Sequence, residues 1–153
     1  MRDLSPIQIA ANEEAKRRKY DGAKLAHDLG LLNVPAVPAI HLPIDVMWTC
    51  DGEICAGDLK TVPDFIASYM DGRLHDQVTA MQAMNCRFMF ILIEGDAWSE
   101  DGGHTVGDPR YSSWTWDQFD DAVFDLQLYG GVKIVRSPSK DRTARRLAAL
   151  WKW

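Results

Sequence analysis

The stretch IDVMWTCDGEICAGDLKTVPDF, Ile44–Phe65, brings two aspartates and a lysine to what reads as the edge of a sheet. Val46–Trp48 and Glu53–Cys55 are short apolar segments on either side of Asp51-Gly52, a pair suited to a type I′ or related hairpin turn. Folding the two segments back on each other carries Asp45 and Asp58 from 13 positions apart in sequence to within a few ångströms. Residues i and i+2 of a strand share a face, so Asp58 and Lys60 point one way and Leu59 the other. Asp64 follows in the first turn of the next helix, with Pro63 near its start, where a missing N–H does no harm.

Two carboxylates with a backbone carbonyl between them suit a hard ion that prefers oxygen, Mg²⁺ or Mn²⁺. A lysine beside them can orient an attacking water and offset the charge on a phosphorane. D-x-K is a short pattern, however, and the same residues also read as an ion pair on an exposed strand.

The remaining composition narrows the class. With 153 residues, the chain has room for one domain with a sizeable core. Of these residues 46% are apolar, yet no run approaches the roughly 18 that cross a bilayer. The start MRDLSPIQIA lacks the long apolar region of a signal peptide, so the expected location is intracellular. Cys50, Cys55 and Cys86 fit reduced thiols better than a disulfide framework, and no zinc-spaced Cys/His pair accompanies Cys50 and Cys55.

Strand and helix signals alternate along the chain. A strand is expected over Ile7–Ala11, a basic helix over 15–32 with Leu25, Leu29 and Leu32 on one face, and an edge strand over Val34–Leu42, where Pro35 and Pro38 each remove a ladder donor. After the hairpin come a helix from Val62, a break at Asp71-Gly72 and a helix over Arg73–Met84 with Leu74, Val78 and Met81 inward. Phe88–Asp96 is the most apolar segment and reads as a strand covered on both faces. A Gly-rich loop over 97–113, long enough to be flexible or functional, precedes a helix over Trp116–Leu128, a strand over Gly131–Ser137 and a helix over Ser139–Trp151. The sum is an α/β domain, an open mixed central sheet flanked by helices. His41, His75 and His104 are scattered and read as structural or surface residues, and Trp114, Trp116, Trp151 and Trp153 as packing residues.

GDLKTVPDFIASYMDGRLHDQVTAM, Gly57–Met81, resembles the signature of the ERCC4-type nucleases, the XPF- and Hef-like group of the PD-(D/E)xK superfamily, whose motif is GD, a spacer and ERKxxxD. Asp45 stands for the aspartate of GD, Asp58-Leu59-Lys60 for ERK and Asp64 for the final aspartate, while Gly72-Arg73-Leu74 and Gln77 match the family's later GRL..Q segment. The likeness extends to FILIEGD (Phe90–Asp96), to GVKIVRSPSKDRTARRLAAL (Gly131–Leu150), and to Ile7–Glu13, where Glu13 takes the glutamate position of D-x-R-E. Four positions depart from the pattern: Ile44 replaces the glycine of GD, Asp58 the glutamate, Leu59 the arginine of ERK, and Asn12 the arginine before Glu13.

The resemblance implies a single restriction-endonuclease-like domain over 1–153, standing alone without the family's helix-hairpin-helix module. It implies a Mg²⁺- or Mn²⁺-dependent endonuclease cutting branched DNA such as a Holliday junction, fork or flap. The implied catalytic residues are Lys60, Asp58, Asp45, Asp64 and Glu13, with metal ligands Asp45, Asp58 and the Leu59 carbonyl. Arg73, Gln77, Lys140, Arg142, Arg145 and Arg146 are the implied DNA contacts, and a homodimer built through the last two helices is the implied assembly. The formal charge of −5 is unusual for a DNA binder. Lys16–Lys19 together with Lys140, Arg142, Arg145, Arg146 and Lys152 nevertheless hold nine of the 17 positive side chains, so basic patches exist. The altered ERK triplet keeps a second class open, an inactive DNA-binding or partner-binding module of the same fold.

Overall fold

The computed structural model describes residues 1–11, 25–95 and 114–153. Its six strands are β1 (Ile7–Ala10), β2 (Ala36–Ala39), β3 (Val46–Cys50), β4 (Glu53–Thr61), β5 (Phe88–Glu94) and β6 (Lys133–Ser137). The described helices are α1 (Leu25–Leu31), α2 (Val62–Met70), α3 (Arg73–Ala83), α4 (Trp116–Leu128) and α5 (Lys140–Lys152). The strands form one mixed sheet in the order β2-β1-β3-β4-β5-β6. β4, β5 and β6 are parallel, β3 is antiparallel to both β1 and β4, and β2 lies parallel to β1 at one edge.

The β3–β4 hairpin forms where the sequence places it. Asp51 and Gly52 take φ of 52° and 80°, the two positive values of a type I′ turn, and Cys50 pairs with Glu53. The same register sets Met47 opposite Ala56 and Val46 opposite Gly57, and its next step sets Asp45 opposite Asp58. β4 runs on for nine residues and enters α2 directly. Thr61 caps that helix, its hydroxyl accepting the Asp64 amide at 3.3 Å, and Pro63 sits in the first turn.

Helices cover both faces of the sheet. On one, Ala56, Ile91 and Ile93 pack against Phe65 and Ile66 of α2, Leu74, Val78 and Met81 of α3, and Phe119, Ala122 and Leu126 of α4. On the other, Val46, Trp48, Leu59, Phe90 and Leu92 pack against Leu25 and Leu29 of α1 and Ala144, Leu147 and Ala148 of α5. Leu59 is 5% exposed within this second cluster, so strand alternation sends it away from Asp58 as expected. β5 contributes to both clusters, which explains its unbroken apolar run.

Two element boundaries differ from the sequence reading for local reasons. The edge strand is only Ala36–Ala39, because the Val34 amide donates to the Leu29 carbonyl at the end of α1 and Pro35 has no amide to give. Gly30 does not end α1; the chain turns at Asn33, with φ of 57°, leaving Leu32 beyond the helix. The proposed loop over 97–113, with Trp98 and His104, and the basic segment Lys16–Lys19 lie outside the described residues.

Gly57 is fixed by packing. A Cβ there would lie against the ring of Phe90, its cross-strand partner, well inside van der Waals contact, and Phe90 is fully buried. Gly57→Ala is expected to cost about 1–3 kcal/mol in urea denaturation, the range of overpacked cores, with native secondary structure by circular dichroism. Wild-type stability would show that the ring moves freely.

Candidate active site

Three side chains converge at the end of the sheet where β4 gives way to α2. Asp58 is 1% exposed, unusual for a carboxylate, and Lys60 is its neighbour on the same face. Lys60 Nζ lies 2.6 Å from Asp58 Oδ2, in ion-pair contact though outside hydrogen-bond alignment. Asp45, brought alongside by the hairpin, accepts the Leu59 amide on Oδ2 at 2.8 Å. That bond fixes Asp45 to the backbone between Asp58 and Lys60.

Burial pushes the Asp45 carboxyl up to about 8, and the hydrogen bond and negative charge of Asp58 add to the effect. The Leu59 amide and the Lys60 ammonium pull the other way without cancelling it. Asp45 therefore carries a proton at neutral pH unless further positive charge reaches it. Among the described residues no group of three or more histidine, cysteine, aspartate or glutamate side chains is placed to hold a metal ion. The donor set is therefore a carboxylate pair. Mg²⁺ accepts such a set, since it keeps several of its waters and is commonly bound through one or two carboxylates.

The other implied site residues are placed less closely. Asp64 is an exposed residue in the first turn of α2. Arg73, at the start of α3, is exposed and bound locally: its Nε donates to Asp71 Oδ2 at 2.6 Å and its backbone amide to Asp71 Oδ1 at 3.0 Å. Asp71, expected only as part of the helix break, also accepts the first amide of α3 and lies within electrostatic reach of Lys60. The Arg73 amide, the largest cause, and Lys60, a smaller one, hold its carboxyl below the ordinary range. The i, i+2 spacing of Asp71 and Arg73 across a glycine is the signal for such an Asx-type turn.

Gln77 is half-buried, and its carboxamide oxygen is shielded with no hydrogen-bond donor among the described residues. Lys140 opens α5, and Arg142, Arg145 and Arg146 are exposed along it. Glu13 lies outside the described residues. Glu94 is 3% exposed, but the alternation that puts Ile91 and Ile93 on the Asp58 face puts Glu94 with Leu92 on the opposite one.

The aromatic and thiol expectations divide. His75 is structural: its Nε2 is 3.0 Å from Asp125 Oδ2, which also accepts the Tyr69 hydroxyl, so α2, α3 and α4 are tied together. Trp114 and Trp116 pack against Tyr69 and Phe119, and Trp151 donates to the Ser5 carbonyl. Trp153 departs from the packing expectation, with 75% of its surface exposed. All three cysteines are free, and burial pushes the Cys55 thiol up to about 11.

A mixed sheet with helices on both faces, carrying a carboxylate pair and a lysine at the end of β4, defines a restriction-endonuclease-like α/β fold. The family model described as "ERCC4 domain" matches residues 25–150, and the chain belongs to that family. Among solved structures it is similar to XPF from Aeropyrum pernix, at 21% identity and a TM-score of 0.70 over 97% of this chain and 64% of that one. It is similar also to the same organism's XPF in complex with DNA, at 22% identity and a TM-score of 0.70 over 96% of this chain and 63% of that one. This chain thus matches less than two thirds of the length of either structure, and at these identities the likeness establishes the fold. No curated protein sequence matches.

The protonated Asp45 predicts how stability depends on pH. In EDTA the folded protein holds a proton on Asp45 between the unfolded value of 3.8 and about 8, whereas the unfolded chain releases it. The contribution of this group is complete below the lower value and is lost as pH rises through the upper one. Melting temperatures recorded from pH 5 to 8.5 should fall with pH in the wild type and much less in Asp45→Asn. Parallel profiles would contradict the assignment.

Proposed function

We propose that this chain is a Mg²⁺- or Mn²⁺-dependent endonuclease that hydrolyses phosphodiester bonds in branched DNA, a Holliday junction, fork or flap. The observation that carries this reading is the buried Asp45–Asp58 pair with Lys60 at 2.6 Å, presented at the end of a sheet of the ERCC4 family. Support for DNA as the partner comes from the similar XPF described in complex with DNA.

In this reading Asp45 and Asp58 hold the ion, with the Leu59 carbonyl completing the protein's share of the ligands. The bound ion supplies Lewis acidity and a more acidic water. Burial of Asp58 and tethering of Asp45 to the Leu59 amide preorganise both carboxylates, so neither has to be gathered when substrate arrives. Lys60 orients the attacking water and offsets the negative charge that grows on the phosphorane as one P–O ester bond breaks. Asp64 aligns Lys60 or reaches the ion through water, and Glu13 supports the same centre.

Arg73 and Gln77 contact the DNA backbone from α3. Arg73 needs only to exchange exposed Asp71 for a phosphate, and exposed ion pairs hold little energy against such an exchange. The shielded carbonyl oxygen of Gln77 offers an acceptor to a water or nucleic-acid donor. Lys140, Arg142, Arg145 and Arg146 add phosphate contacts from α5. A homodimer would bury the exposed apolar residues at the end of α4, Phe124, Leu128 and Tyr129. No helix among the described residues is long and apolar enough to cross a membrane.

A cleavage panel of labelled junction, fork, flap and linear duplexes tests this reading. With Mg²⁺ or Mn²⁺ the wild type should cut one or more branched substrates in preference to the duplex. Asp58→Ala and Lys60→Ala should fold and lose at least about 100-fold in rate, on the scale of removing one electrostatic contributor. Cutting by either variant at the wild-type rate would sink the assignment. Absence of cutting by the wild type, with branched DNA still bound, would favour the inactive DNA-binding module.

A further inference from the structure

A second cation stands level with Lys60 on its own face of the sheet. β4, β5 and β6 are parallel and in register, so Lys60 lies opposite Ile93 and Ile93 opposite Arg136. Ala56, Ile93 and Ile134 pack in one cluster, and strand alternation therefore puts Arg136 on the face that carries Asp58 and Lys60. Ile93 between the two cations is fully buried, while the Lys60 side chain is 12% exposed and Arg136 is open to solvent. Two strand spacings, about 10 Å, separate β4 from β6.

Arg136 is held in place by an aromatic ring. Its guanidinium carbon lies 5.3 Å from the centre of Phe119 on α4, a cation–π distance. Phe119 is itself fixed, 1% exposed and packed against Phe65 of α2 at 5.3 Å and Trp116 at 5.9 Å. Covering a phenylalanine requires no charge. What an arginine adds is a planar fork of donors on a rigid support, at the carboxyl ends of parallel strands, where open α/β sheets bind their ligands.

A polyanion crossing this end of the sheet gains little grip at the carboxylates. Asp58 repels a phosphate, and Lys60 is already engaged with it at 2.6 Å. Phosphates of one strand recur every 3.4 Å or so along a duplex axis, so about 10 Å from Lys60 corresponds to a phosphate about three nucleotides away.

We propose that Arg136 clamps that phosphate, a further DNA contact that fixes where the strand lies over Lys60. The choice of DNA rests on the function proposed above. Arg136 is a positioning residue. A contact so far from the reacting bond is equally strong before and during the reaction, so it acts on KM and leaves kcat alone.

Arg136→Ala tests the clamp in two assays. In EDTA, fluorescence anisotropy of a fluorescein-labelled DNA fork should show binding about tenfold weaker than wild type, the loss of one charge-assisted hydrogen bond. The magnitude of the log–log salt slope should fall by about 0.9, the value for one phosphate contact on duplex DNA. In cleavage assays with Mn²⁺ the variant should raise KM by the same factor and keep kcat, and Arg136→Lys should recover part of the loss. Lys133→Ala removes the same charge from the opposite face of β6 and should match the wild type in both assays. Wild-type affinity and slope in Arg136→Ala would overturn the proposal. So would an equal loss in Lys133→Ala, which would assign the effect to overall charge, or a fall in kcat at unchanged KM, which would put Arg136 at the reacting phosphate. If the wild type binds the fork without cutting it, the nuclease reading fails while affinity and salt slope still decide Arg136. No binding of the fork by the wild type would overturn both.

Discussion

The register of the β3–β4 hairpin is the constraint on which the site depends. A two-residue turn at Asp51-Gly52 fixes the pairing, and that pairing alone puts Asp45 opposite Asp58. Slipping one strand by a single residue would turn its side chains to the other face, exchanging Asp58 for Leu59 in the polar cluster and setting a carboxylate among Leu92, Phe90 and Leu147. The second cluster therefore acts as a lock on the first: burial of Leu59, Trp48 and Val46 behind the sheet holds the carboxylates in front of it. The close fit of Gly57 to Phe90 ties this hairpin to β5 at the position immediately before Asp58.

Bringing two carboxylates together in a buried place is electrostatically costly, and the structure offsets the cost locally. The Lys60 ammonium stands against Asp58, the Leu59 amide against Asp45, and Asp45 takes up a proton. The proton on Asp45 can be exchanged for a divalent cation, whose charge reverses the preference of that carboxyl for a proton. A site so arranged is strained only when nothing positive occupies it. This is the physical sense in which the same residues differ from an exposed ion pair, which would need neither burial nor a raised carboxyl.

The sequence made much of this legible, for reasons that can be named. Asp51-Gly52 announced the hairpin, Pro63 the start of α2, the paired prolines the sheet edge, and the spacing of Leu74, Val78 and Met81 the buried side of α3. The grouping of Asp45, Asp58 and Lys60 followed from turn length and strand alternation. Partners chosen by tertiary context were not legible. Glu94 faces away from Asp58, and Val34 satisfies the end of α1 instead of extending β2. Trp153, expected as a packing residue because tryptophan usually is one, is left 75% exposed.

Diffraction from crystals soaked in millimolar Mn²⁺, with anomalous differences collected near the manganese edge, tests the central claim most directly. The account predicts a single strong peak between the carboxylates of Asp45 and Asp58, absent from Asp58→Ala crystals soaked in the same way. No peak at that position in the wild type, with the Asp45–Asp58 pair left as it stands without metal, would contradict it.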